Sequence, residues 1–141
     1  VGPITYTKDE LSFADKIMKE YGLETKGING AIKPLEATKP DPPGGSTDVG
    51  DVSYIVPEIS LLATTAPYES PWHSWVVVAC GGMSIGHKGM LFASKALGTT
   101  MVDLFENEKL RQDIRAEFLK RKGNEVWKAI LPDALPPVPM Q

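Results

Sequence analysis

Trp75-Val76-Val77-Val78-Ala79-Cys80-Gly81-Gly82 is the stretch on which the fold class turns. Three consecutive valines after a tryptophan favour a strand, because branched and aromatic side chains suit a pleated surface. The Gly81-Gly82 pair then breaks the run. Upstream, Ile59-Ser60-Leu61-Leu62-Ala63-Thr64 has the short, continuous apolar form of a buried strand. Pro57 precedes it, and Pro67 to Pro71 makes a loop between the two runs. Ser53 to Val56 fits either one helical turn or a strand stub. Two short strands set among helices predict an α/β fold, as a partial α/β/α layer with few strands and three main helices.

The helices announce themselves by period and caps. Thr7-Lys8-Asp9-Glu10 has the form of a capping box, with Thr at the N-cap and Glu three residues on. Leu11, Ala14, Ile17, Met18 and Tyr21 follow at helical spacing, so a helix is expected from about Lys8 to Tyr21, stopped by Gly22. The longest helix is expected from about Ile85 to Leu104. Met90, Leu91, Ala93, Ala96, Leu97, Thr100, Met101 and Leu104 spread over most of its girth, which predicts that it is largely buried. Gly86, Gly89 and Gly98 lower its propensity but let another backbone or a ligand come close. A last helix is expected from Asn107, a plausible N-cap, to about Lys122, with Leu110, Ile114, Phe118 and Leu119 on one side and Gly123 as its stop. No internal repeat is recognised.

The chain has 141 residues, 42% apolar and 23% charged, with a formal net charge of −3. That length suits one domain. It divides into an opening helix (1–22), a Pro/Gly-rich loop (23–50), an α/β core (51–122) and an extended tail (123–141). The loop holds Pro34, Pro40, Pro42, Pro43 and Gly44-Gly45, and a loop of this size inside a domain is usually functional or mobile. The charge gives no basic footprint, so nucleic acid is not an expected partner. No run of eighteen apolar residues exists, so no membrane partner is expected either. Cys80 is the single cysteine. It cannot form an internal disulfide or a zinc cluster, and it fits a reducing, cytoplasmic setting.

Four places can carry chemistry. His73, within Ser70-Pro71-Trp72-His73-Ser74-Trp75, stands between a loop and an expected strand; its imidazole can ligate a metal or act as a base, or be held by hydrogen bonds beside the tryptophans. Asp48 and Asp51, preceded by Ser46 and Thr47, can bind a hard cation or orient a ligating histidine, or accept from their own backbone in an Asx-type turn. Gly81 to Gly89 opens a helix, where free amides suit anions. The phosphate-loop spacing fails there, because His87 intrudes before Lys88 and Gly89 stands where Ser or Thr is required, so nucleotide binding is rejected. His87 is left to cap the helix or line a pocket. Cys80 reads as a small core residue rather than a nucleophile.

Three motifs in order then become recognisable: Gly45-Ser46-Thr47-Asp48-Val49-Gly50-Asp51-Val52-Ser53, His73-Ser74-Trp75, and Gly82-Met83-Ser84-Ile85-Gly86-His87-Lys88-Gly89-Met90. Together they resemble the C-terminal part of the M20 metallopeptidase and amidohydrolase family, in particular the B-type chain of its aminobenzoyl-glutamate utilisation group. The opening helix resembles the segment after that family's inserted lid domain. Trp72 stands where the subgroup often has Gly, and Phe92 where a further His is common.

The resemblance implies a site of two divalent ions, zinc or manganese, that hydrolyses an amide bond of a small-molecule or peptide substrate. It implies His73 as a metal ligand, Ser46, Thr47 and Asp48 beside the site as orienting or substrate residues, and His87 as a pocket residue. The family's His-x-Asp ligand motif and its Glu-Glu pair with the general base are not in this chain. Three protein ligands are the norm for a catalytic zinc site. The chain is therefore expected to lack catalytic residues of its own, to be inactive alone, and to need a missing N-terminal part of the catalytic domain and a lid as partners, in a homo- or hetero-oligomer. A remnant of a longer protein, a truncated chain, or a non-catalytic protein-interaction module derived from the same fold are the other expectations.

Overall fold

The computed structural model describes residues 1–34 and 47–128, and among them the fold is helical, with no strand. This corrects the expected α/β layer. In chain order the helices are α1 (Lys8–Glu20), α2 (Val49–Ser53), α3 (Trp75–Gly81), α4 (Ser84–Glu106) and α5 (Glu108–Lys122). The described residues form two compact units, one from residues 1–34 and 60–106, the other from 47–59 and 107–128.

The first unit holds α1, α3 and α4. The capping box of α1 forms as expected: Thr7 Oγ1 accepts from the Glu10 amide, and the Glu10 carboxylate accepts from the Thr7 amide. Ala14, Ile17 and Met18 are buried at helical spacing. The valine run forms α3 rather than a strand. Its burial pattern explains why. Val76 and Cys80, four residues apart, are both fully buried, whereas Val78 is 77% exposed. A strand would put Val76 and Val78 on one face. The preference of valine for strands is a small bias, and burying the Val76/Cys80 pair outweighs it.

The second expected strand fails too. Residues 59–64 have no regular structure, and Leu62 is 91% exposed. The irregular stretches of the first unit hold together through scattered bonds instead of a ladder. The Ile4 amide donates to the Gly30 carbonyl, the Tyr68 amide to the Gly27 carbonyl, and the Thr64 hydroxyl to the Asn29 carbonyl.

Helix α4 begins after a short link from α3, and the two are bent by 71°. Two of its glycines allow the close approach that the sequence suggested. A Cβ on Gly86 would lie 2.7 Å from the carbonyl oxygens of Cys80 and Gly81, and one on Gly89 would lie 2.3 Å from that of Thr64. Backbone therefore presses directly on backbone at both turns. A Cβ on Gly98 would meet nothing within 4 Å. The expectation that this helix is largely buried is also corrected: Ile85, Gly86 and Gly89 are its buried residues, while Met90, Leu97, Met101 and Phe105 are exposed. The core is small and sits where the helices of the first unit meet, with Ile17, Met18, Val76, Cys80 and Ile85 at its centre and Tyr6, Phe13, Ile28 and Ala66 packed around them. No single helix among the described residues is long and apolar enough to cross a membrane.

The second unit holds α2 and α5. The α5 boundaries match expectation. Asn107 Oδ1 accepts from the Leu110 amide, and Gly123 ends the helix at φ 57°. Lys120, Arg121 and Lys122 place positive charge against the exposed carbonyls of the last turn. None of its residues is buried.

Candidate functional site

His73 lies in the first unit, in a turn immediately before α3. It is exposed, and its backbone is left-handed, with φ 62°. Few non-glycine residues take that conformation, although His is among those that do so more often. Ser74 follows as the N-cap of α3, yet its hydroxyl does not cap that helix. It donates back to the Pro71 carbonyl at 2.6 Å. Trp72, just before His73, is also exposed, and Trp75 packs on Tyr21 with ring centroids 5.9 Å apart.

The other candidates fall differently. His87 is exposed on the first turn of α4 in the first unit. Thr47 and Asp48 belong to the second unit, and Ser46 lies outside the described residues. Thr47 Oγ1 accepts from the Val49 amide at 3.3 Å, closing a local turn. The Asp48 carboxylate makes no capping bond; its backbone carbonyl accepts from the Asp51 amide. Asp51 accepts from the Trp127 indole at 3.0 Å, so that carboxylate ties a distant segment to α2.

Among the described residues, no group of three or more His, Cys, Asp or Glu could hold a metal ion. The described residues by themselves do not fit a resident divalent metal. A shallow open groove does exist at the end of α1, lined by Lys19, Gly22, Leu23, Glu24 and Thr25. It brings together none of the candidates above.

The strongest polar cluster among the described residues involves none of these candidates, although two of its members, Ser84 and Lys88, stand in the third motif. The buried Glu10 carboxylate accepts from Ser84 Oγ and Lys88 Nζ, both at 2.6 Å, besides the Thr7 amide. Lys88 also donates to the Thr5 carbonyl and lies 5.5 Å from the Tyr6 ring centroid. The bonds from Lys88, then Ser84, then the Thr7 backbone pull the Glu10 carboxyl down to about 2, against the opposing effect of burial. Burial, helped by the Glu10 charge, pushes the Tyr6 phenol up. Both carboxylate oxygens of Glu10 are engaged by fold contacts, so the cluster clamps α1 to the start of α4. The sequence signal for it is the spacing of Ser84 and Lys88, four apart on one helix face.

The chain is similar to the B chain of p-aminobenzoyl-glutamate hydrolase of Escherichia coli (strain K12). The two are 34% identical over 96 residues, 68% of this chain. The match takes in about a fifth (20%) of the length of that relative. No family model matches, and no solved structure matches.

Proposed function

We propose that the chain is the C-terminal segment of the catalytic domain of a hydrolase related to aminobenzoyl-glutamate hydrolase, of the M20 amidohydrolase type. The reaction is hydrolysis of an amide bond, of aminobenzoyl-glutamate or aminoacyl type. The observation that carries the reading is the 34% identity to a protein with that activity in its name, over 68% of the chain. The exposed, left-handed His73 supports it, since an imidazole held outward on a strained turn is more typical of a functional site than of a core.

In this reading His73 offers one donor nitrogen to a divalent ion, zinc or manganese. The remaining ligands and the general base come from polypeptide outside the described residues. Thr47, Asp48 and Ser46 act as orienting or substrate residues, and His87 as a pocket residue. The segment alone is inactive.

Release of p-aminobenzoate from p-aminobenzoyl-glutamate tests the reading. The parent protein is expected to release it, to stop when treated with a chelator, and to lose at least about a hundredfold in rate on His73→Ala, the usual scale for a removed electrostatic group. The 141-residue chain alone is expected to release none. Full activity in the His73→Ala parent removes His73 from the site.

A further inference from the structure

Residues 67–74 contain a structural duplication. Pro67-Tyr68-Glu69-Ser70 is followed directly by Pro71-Trp72-His73-Ser74: proline, aromatic, variable residue, serine, twice over. The two halves fold alike. Glu69 has φ 60° and His73 has φ 62°, the two non-glycine residues of positive φ among those described. Ser70 Oγ donates to the Pro67 carbonyl at 2.8 Å, and Ser74 Oγ donates to the Pro71 carbonyl at 2.6 Å. A left-handed third residue is what a type II turn requires. In the first copy the Ser70 amide also donates to the Pro67 carbonyl at 3.1 Å, whereas in the second the Ser74 hydroxyl makes the closing bond.

The first copy shows what such a turn does. Its left-handed residue, Glu69, reaches across to pair with Lys26, and the Tyr68 amide fixes the turn to the Gly27 carbonyl. The third side chain is thus held away from the core and delivered to a partner. In the second copy that position is His73. Its turn runs straight into α3, which is anchored by the fully buried Val76 and Cys80. A turn fastened to so firm a base fixes the backbone from which the imidazole projects, which lowers the entropy lost when residue 73 engages a ligand.

We infer that the Pro71–Ser74 turn is a presenting device for the His73 imidazole and that Ser74 is its positioning residue. The inference rests on the proposed role of His73 as a donor, and it adds a residue that the motifs leave without a task.

Isotope-labelled full chain, studied by NMR, tests it. The amide-to-Hα coupling and the carbon shifts of residue 73 report its backbone conformation. In the native chain and in Ser74→Thr they are expected to be left-handed. In Ser74→Ala they are expected to leave that region while the signals of α1 and α4 stay in place. Ser70→Ala is expected to move residue 69 and leave residue 73 unchanged. Zinc chloride titration of the parent protein, which supplies the other ligands, followed on the His73 ring, is expected to be weakened roughly threefold to tenfold by Ser74→Ala, the worth of one net hydrogen bond, and restored by Ser74→Thr. Residue 73 remaining left-handed in Ser74→Ala overturns the positioning role. In the parent protein, where the other ligands are supplied, a native His73 ring that ignores zinc overturns the donor reading instead, and the backbone signals of the chain still decide the role of Ser74.

Discussion

Lys88 Nζ lies 2.6 Å from Glu10 Oε2, joining the start of α4 to the first turn of α1 across 78 residues of chain. The carboxylate is buried and the ammonium is about a third exposed, so the pair is neither a loose surface bridge nor a sealed one.

This pair sets an acid limit on stability. The folded Glu10 carboxyl titrates at about 2, below its ordinary 4.5. A group whose folded value is depressed stabilises fully above its unfolded value and loses that contribution as pH falls through the folded one. The stability difference between the native chain and Glu10→Gln is expected to be constant above pH 4.5 and to shrink between pH 4.5 and about 2. Urea unfolding at a series of pH values checks it, and a difference independent of pH across that window excludes it.

Removing the cation is expected to hurt at neutral pH. Lys88→Ala strands a buried carboxylate, although Ser84 and the Thr7 amide still serve it. The cost is expected at about 2 kcal/mol, below the roughly 3–5 kcal/mol of a fully buried broken pair. Calorimetric melting measures it.

Two glycines of one helix are expected to respond with opposite signs. Gly89→Ala puts a methyl 2.3 Å from the Thr64 carbonyl oxygen and must push that segment away, at a cost of about 1–3 kcal/mol. Gly98→Ala meets nothing within 4 Å and is expected to stabilise by roughly 0.5–1 kcal/mol through helix propensity alone. Thermal melting of both variants makes the comparison, and destabilisation by Gly98→Ala contradicts the open environment described.

Val76 and Val78 discriminate helix from strand directly. Val76→Ala is expected to cost about 2 kcal/mol, because the side chain is fully buried. Val78→Lys is expected to change stability by less than about 0.5 kcal/mol, because Val78 is exposed. In a strand the two would share a face, and equal losses at both positions speak against α3.

His73→Gly separates backbone from imidazole. At φ 62° glycine is unstrained, so this variant is expected to be at least as stable as the native chain, by up to about 1 kcal/mol. His73→Ala keeps the strain. A glycine variant that melts lower than the alanine variant argues against a left-handed residue 73.

The helices with strong local punctuation are legible in the sequence. Thr7 and Glu10 mark one start, and Asn107 and Gly123 bracket α5, because caps are satisfied within a few residues of themselves. The valine run is not legible in this way, since its local preference for a strand yields to burial of Val76 with Cys80, which depends on α1 and Ile85. The same reason hides the Glu10 cluster, whose partners lie 74 and 78 residues away. His73 stands out by type and neighbours. Its left-handed turn is written in the sequence as a doubled Pro-aromatic-X-Ser tetrapeptide, a pattern too short to register as a repeat. Thr47 and Asp48 are placed together by motif, and the structure gives Thr47 a turn bond while leaving Asp48 without a capping one.

Cys80 carries a practical corollary. Its thiol is shut inside the core, and burial pushes its ionisation up, so a thiol reagent meets neither an accessible nor a readily ionised sulfur. Labelling must wait until α3 lifts from its neighbours. The protein thus contains its own stopwatch for that opening: with enough disulfide dye to outpace reclosing, the rate at which it attaches to the folded chain counts how often the helix next to the histidine turn comes loose.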